Sequence, residues 1–259
     1  MAEHRIGFVG GGRVARIILC GFKNAGCIPA TAVTSDISED ALKKLQLEFA
    51  SVQTALNDNP EAARQDIVFL ALHPPAMAPA LAEIRKSLKS DATVISLAPK
   101  LSIAKISEAL GGFDRIVRLI PNAASIIGRG YNPISFSPTL IGKDREKIQA
   151  LVKVLGKCPE VPEDKLEAYA IVIAMGPTYL WFQLNELRTL AEFFGMTAEE
   201  AATGLAEMVE GAVKLLFGSG MTADEVIDLV PIKPMGEEEA AIKAAYRARL
   251  EPLYRKLKG

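Results

Sequence analysis

No apolar run long enough to cross a bilayer occurs in the 259 residues, and no charged-then-apolar leader precedes Arg5. A cytoplasmic location without membrane association is the expectation. Cysteine is scarce: Cys20, Cys27 and Cys158 form neither a CxxC pair nor a metal-ligand spacing, and their odd number argues against a disulfide framework. All three are expected to be reduced packing residues, and no metal site is expected. Neither sign of charge dominates, since 30 basic residues face 31 acidic ones for a net charge of -1. Broad attraction to nucleic acid or anionic lipid is therefore not expected. Only two histidines occur, and His4 reads as a solvated terminus, which leaves His73. Internal repeats and low-complexity segments are also lacking.

What is present is a hydrophobic content of 49%, enough for two domains with separate cores. Arg5 to Gly10 reads as a short apolar strand, and Val14, Ile17, Ile18 and Gly21 then recur at helical spacing. Thr31 to Thr34 supplies a second strand, after which Ser38 can cap a helix through Ala41, Leu42 and Leu45, with Glu39 and Asp40 in its first turn. Two uniformly apolar runs, Asp66 to Leu72 and Thr93 to Leu97, flank a helix from about Met77 to Leu88, as strands buried on both faces require. Arg115 to Ile120 and Pro133 to Ser137 add strands, and Asp144 to Leu155 a helix. The segment Gly156 to Asp164, with Pro159 and Pro162, reads as a linker. Beyond it, Leu180, Leu184, Leu187, Ala191 and Phe194 follow helical spacing, and Thr197 with Glu200 and Thr222 with Glu225 form capping boxes. The helix behind Thr197 is apolar at Ala201, Ala202, Leu205, Met208, Val209, Ala212, Val213 and Leu216, a stripe wide enough for a subunit interface. Glu237 to Lys258 reads as a charged helix. The expectation is an α/β Rossmann-type parallel-sheet domain over residues 1–158, followed by an all-α domain over 159–259.

The chemistry-bearing motif is Gly10-Gly11-Gly12-Arg13-Val14-Ala15, which satisfies GxGxxG/A between a first strand and an amphipathic helix. Glycines allow backbone to approach a pyrophosphate, and the helix N-terminus offers unpaired amides and positive dipole to it. Asp36, closing the second strand, is placed to accept hydrogen bonds from the adenosine ribose and points to NAD. Thr34 and Ser35 could instead donate to a 2′-phosphate, so NAD and NADP both stay open. His73 follows an apolar strand and precedes Pro74-Pro75, which puts it at the sheet's carboxyl edge as a candidate acid or base. Asn122, after Pro121, could contact the nicotinamide carboxamide or the substrate, or simply form a turn.

These segments, taken together, resemble pyrroline-5-carboxylate reductase, which reduces a cyclic imine to proline with a nicotinamide cofactor. Ile6-Gly7-Phe8-Val9-Gly10-Gly11-Gly12 is similar to that family's opening. Val68-Phe69-Leu70-Ala71-Leu72-His73-Pro74 is similar to its VFLAVKP, and Arg118-Leu119-Ile120-Pro121-Asn122 to its RxMPN. Gly176-Pro177-Thr178-Tyr179 resembles the GPAY that opens its long dimerisation helix. The resemblance implies a Rossmann domain followed by a helical dimerisation domain that interlocks with a second subunit. It also implies that Ala71, Leu72, His73 and Pro74 flank the cofactor.

Departures from the family lie at the substrate end. Its Ser-Gly-Ser is replaced by Ile173-Ala174-Met175, and its Ser-Pro-Gly-Gly-Thr-Thr loop by Lys233-Pro234-Met235-Gly236-Glu237-Glu238. The lysine of VFLAVKP is His73, and the acidic residue of the dimerisation helix is Asn185 with Glu186 beside it. His73, Glu186 and Lys233 are thus the candidate proton donors or charge partners for hydride transfer to a small imine or oxo acid. The rival reading is a nucleotide-binding regulatory or structural protein that has lost catalysis. A β-hydroxyacid-type dehydrogenase would need a lysine on the dimerisation helix, and the span from Tyr179 to Gly195 has none.

Overall fold

The computed structural model describes residues 5–29 and 31–258, so His4 lies outside the described residues. The chain forms two compact units, Met1–Met175 with Tyr254–Gly259, and Gly176–Leu253. The first unit carries strands β1 (Arg5–Val9), β2 (Thr31–Asp36), β3 (Val52–Leu56), β4 (Ile67–Leu70), β5 (Thr93–Ser96), β6 (Ile116–Leu119), β7 (Gly130–Tyr131), β8 (Ile134–Phe136) and β9 (Gly156–Lys157). Its helices are α1 (Arg13–Asn24), α2 (Glu39–Glu48), α3 (Asn59–Ala63), α4 (Pro74–Ile84), α5 (Ile103–Ala109), α6 (Gly142–Val152) and α7 (Leu166–Tyr169). Seven strands form one sheet in the order β3-β2-β1-β4-β5-β6-β8, parallel throughout except for antiparallel β8, while β7 and β9 pair separately.

Alternation along each strand sends neighbouring side chains into cores on opposite faces of the sheet. Ile6, Phe8, Ile67 and Phe69 join one core with Ile18, Leu19 and Phe22 of α1, and Val9, Val68 and Leu70 join the other with Leu81 and Ile84 of α4. Phe8 and Phe69 are register partners whose rings stack at 4.8 Å. Burial on both faces is why these strands carry continuous apolar runs. Ser38 caps α2 by accepting the Ala41 N–H, as its position suggests.

Several short elements add to the pattern read from the sequence, β3, α3 and α5 among them. Edge strand β3 has only Val52 fully buried, α3 is a five-residue turn capped by Asp58, and α5 is capped by Ser102. The first unit also extends beyond the division at 158/159. Leu166 and Ala170 pack on Ile120, and Arg118 binds Glu163 and Glu167, so the chain leaves this unit only at Gly176. Lys258 also belongs to it, its Nζ donating to the Asp164 carbonyl at 2.5 Å.

The second unit is helical: α8 (Pro177–Phe193), α9 (Ala198–Gly218), α10 (Ala223–Asp228) and the larger part of α11 (Glu239–Lys258). Both capping boxes form, with Glu200 and Glu225 accepting the Thr197 and Thr222 N–H groups and the threonine hydroxyls accepting the glutamate N–H groups. Among the described residues no helix is long and apolar enough to cross a membrane.

Candidate functional site

β1 ends at Val9, and the chain turns in the fork between β2 and β4, where the strand order of the sheet reverses. Open α/β sheets bind ligands outside the carboxyl ends of the strands at such a switch point. Gly10 adopts φ +101°, a left-handed conformation, and a Cβ there would stand 2.6 Å from the Ala71 carbonyl oxygen. Its N–H donates to the Ser35 carbonyl, and the Ala71 N–H donates to that of Val9, each at 2.8 Å. Gly11 is buried, 3.1 Å from Thr34 Cγ2 by the same measure. Gly12 differs from both, because it is exposed and a Cβ added to it meets nothing within 4 Å. The N-terminus of α1 therefore opens onto free space with Gly12 as its cap, no side-chain cap bond and no acidic residue in its first turn. Arg13 is exposed and Val14 half-buried, and the fully buried Ala15 lets the helix pack tightly on the sheet.

Asp36 closes β2 beside this turn. Its Oδ2 accepts the Gly11 N–H at 2.7 Å and its Oδ1 the Ser38 N–H at 2.8 Å, which fixes the carboxylate in orientation. Ser35 requires a correction. Rather than offering its hydroxyl to a phosphate, it is fully buried, and its Oγ donates to Asn59 Oδ1 at 2.6 Å. Thr34 is likewise fully buried. The reason is strand parity: residues inside β2 point into the layers above and below the sheet, and only the residue at its end reaches the edge.

On the other side of the fork, Ala71 and Leu72 are half-buried, and His73 and Pro74 are exposed at the start of α4. His73 is the N-cap residue, with its carbonyl accepting the Ala76 N–H. Asn122 lies further along the same edge and is nearly buried. Its Oδ1 accepts the Ala124 N–H at 3.0 Å, its Nδ2 donates to the Ile173 carbonyl at 3.2 Å, and its own N–H donates to Asn132 Oδ1 at 2.8 Å. The Ile173 carbonyl belongs to the π-helical turn formed by residues 170–174, and Pro177 has no N–H to donate to it from four residues on. Asn122 thus first ties the end of β6 to this turn, leaving one Nδ2 proton for any contact with a ligand.

A buried ion cluster supports that junction. Arg118 NH1 meets Glu163 Oε1 at 3.0 Å, and Arg118 NH2 meets Glu167 Oε1 at 2.6 Å. The carboxylates also accept backbone N–H groups, Glu163 from Ile103 and Glu167 from Lys100. Burial on its own pushes the Glu167 carboxyl up, but the hydrogen bond and charge of Arg118, with the Lys100 amide, outweigh it and hold the group below the usual carboxylate range. Sequence reasoning did not single out Arg118. The available signal was an arginine inside the otherwise apolar strand Ile116-Val117-Arg118-Leu119, where a buried charge requires partners.

The structure brings together Gly10, Gly11, Gly12, Arg13, Val14, Asp36, Ala71, Leu72, His73 and Pro74 around one fork of the sheet. Glu186 on α8 and Lys233 between α10 and α11 belong to the second unit, where both are exposed.

Residues 5–100 match the family described as NADP oxidoreductase coenzyme F420-dependent. A pyrroline-5-carboxylate reductase of Methanosarcina acetivorans is 27% identical over 255 residues, covering 95% of this chain and 94% of that protein. One of Escherichia coli is 25% identical over 229 residues, covering 88% and 85%. Among solved structures, a pyrroline-5-carboxylate reductase of Coxiella burnetii superposes with a TM-score of 0.69 at 28% identity, covering 99% of this chain and 95% of that one. Pyrroline carboxylate reductase of Plasmodium falciparum, solved with NADP bound, shares the fold with a TM-score of 0.81 at 20% identity, covering 100% and 98%. Along nearly its whole length the chain is similar to these pyrroline-5-carboxylate reductases, in sequence and in fold.

Proposed function

We propose that this protein is an NAD(P)H-dependent oxidoreductase that delivers hydride to a small imine or the related oxo acid. The observation that carries the reading is the glycine turn at the β1–β4 fork, where Gly12 leaves open space before an uncapped helix N-terminus. A pyrophosphate fits that cradle, since the first backbone amides of a helix lack intrahelical partners and carry its positive dipole. Gly12, Arg13 and Val14 would hold the pyrophosphate, Asp36 the adenosine ribose, and Ala71 to Pro74 the opposite wall. When bound, the nicotinamide supplies the hydride, and the chain's contribution is orientation, polarisation and exclusion of water.

Reduction of a C=N bond needs one proton at nitrogen and one hydride at carbon. His73, Glu186 and Lys233 are the candidates for holding that proton or balancing the substrate's charge. Ile173 and Met175, standing where the resemblance implies serines, and Glu237 with Glu238, where it implies hydroxyls, disfavour tight binding of a free carboxylate. A substrate related to pyrroline-5-carboxylate but less dependent on that carboxylate fits better. A homodimer built through the second unit is part of the proposal, because α8 and α9 expose Trp181, Phe182, Leu187, Phe193, Met208 and Val213. A cytoplasmic location belongs with it.

The test is oxidation of NADH and NADPH by the purified protein with pyrroline-5-carboxylate and a panel of cyclic imines and 2-oxo acids. Turnover on at least one of them is expected, with pyrroline-5-carboxylate a poor substrate by kcat/KM. Pyrroline-5-carboxylate proving best would overturn the substrate preference. Cofactor binding with no turnover on any of them would favour the non-catalytic reading.

A further inference from the structure

We infer that the adenosine end of this site is built for NAD(H) and discriminates against the 2′-phosphate of NADP(H), with Asp36 and Ile37 the residues that decide. This deepens the dinucleotide reading above and rests on it.

Hydrogen-bond chemistry supplies the first argument. A carboxylate only accepts, with about four lone-pair sites on its two oxygens. The Gly11 and Ser38 N–H groups take one on each oxygen of Asp36, so the group is held rigid with acceptor capacity left over. Two ribose hydroxyls are donors that match those sites. A 2′-phosphate presents acceptors and a charge of about -1.5 to -2, which meets the carboxylate with repulsion and no donor between them.

The hydroxyls of β2 are not presented to the edge. Thr34 and Ser35 could have received a phosphate had they faced the crevice, yet both are fully buried, and the Ser35 hydroxyl is committed to Asn59. Residues 36–40 read Asp-Ile-Ser-Glu-Asp, three acids and no base. Lys43, the first base beyond them, has its Nζ 2.8 Å from Glu39 Oε1, and Lys44 lies more than a helical turn into α2. Arg13 is basic but stands at the first position of α1, beside the amides offered to the pyrophosphate that both cofactors share.

Ile37 supplies the independent observation. It follows Asp36 at the end of β2 and is 82% exposed, an apolar side chain held in water where a phosphate-binding site would gain from an arginine. An adenine ring laid over it would remove that apolar surface from water.

Calorimetric titration with NAD+, NADH, NADP+ and NADPH tests this without any substrate. NAD+ and NADH are expected to bind about 100-fold tighter than their phosphorylated counterparts, with the ratio shrinking as salt screens the repulsion. Ile37→Arg leaves Asp36 and its two hydrogen bonds in place, and is expected to tighten NADP+ roughly tenfold while changing NAD+ little. Asp36→Asn keeps one acceptor for the glycine turn and is expected to narrow the ratio, with the melting temperature as the control for folding. Arg13→Ala is expected to weaken all four nucleotides by a similar factor. NADP+ binding as tightly as NAD+, or Arg13→Ala weakening NADP+ alone, would overturn the inference and leave the dinucleotide reading standing. Binding of none of the four would overturn both.

Discussion

Replacing the two outer glycines of the turn one at a time should separate binding from folding. At Gly12 the backbone has φ -77°, open to any residue, and an added Cβ meets nothing within 4 Å. Gly12→Val therefore costs only the poorer helix cap, about 1 kcal/mol, or roughly 3 °C in melting temperature. The same side chain occupies the space through which a pyrophosphate reaches the first amides of α1. Losing two charge-assisted hydrogen bonds there costs about 3 kcal/mol or more, raising Kd at least roughly 100-fold. Gly10→Ala is the opposite case. Its φ of +101° costs about 1–2 kcal/mol for any side chain. The clash of its Cβ with the Ala71 carbonyl adds roughly 1–3 kcal/mol, so melting should fall by about 6–15 °C. Circular dichroism melting paired with calorimetric titration of NADH reads both quantities. A Gly12→Val protein that keeps native affinity would refute the assignment of the turn to a pyrophosphate, whatever its stability.

Other consequences follow from the packing. Arg118→Met leaves two carboxylates at the β6 junction without their cation and should cost roughly 3–5 kcal/mol in urea unfolding; a loss below about 1 kcal/mol would contradict the cluster's role. Because Glu167 titrates below its unfolded value, its stabilisation is complete above the ordinary carboxylate range and is lost as pH falls through the depressed folded value. Unfolding midpoints should therefore drop on acidification, and less steeply in Glu167→Gln. Burial pushes the Cys158 thiol up to about 11, an Asn132 contact working against it, and burial also raises Cys20 and Cys27. Native protein should react slowly with a disulfide reagent at pH 8 and yield its full three thiols only when denatured; three fast thiols in the native state would argue against packed roles. If α8 and α9 join two subunits, Trp181, the sole tryptophan and 55% exposed in the single chain, should shift its emission to the red on dilution, in step with a halved mass by sedimentation. Leu187→Glu should give a monomer, and a dimer undisturbed by that change would place the interface elsewhere.

Local chemistry was the legible part of the fold. The strand, glycine turn, helix and second strand from Arg5 to Asp36, the Ser38 cap and both threonine capping boxes depend on residues a few positions apart. Elements of five residues with weak periodicity, β3 and α3, carry too little pattern to be seen. The place of the glycines and Asp36 at the sheet edge was readable because a motif fixes their spacing. Ser35 was misjudged because one residue of strand parity separates a crevice from a buried layer. The tie between Asn122 and Ile173 spans 51 residues, and those from Arg118 to Glu163 and Glu167 span 45 and 49, distances that only the folded chain closes.

Hydride transfer itself is tested most directly with NADH deuterated at the transferring carbon, incubated with the protein and a cyclic imine, the product then analysed by mass spectrometry and NMR. The account predicts one deuterium in the amine, on the carbon that was doubly bonded to nitrogen, and loss of that product in Gly12→Val. An imine returned unlabelled and unreduced, or an amine formed without deuterium, would contradict it.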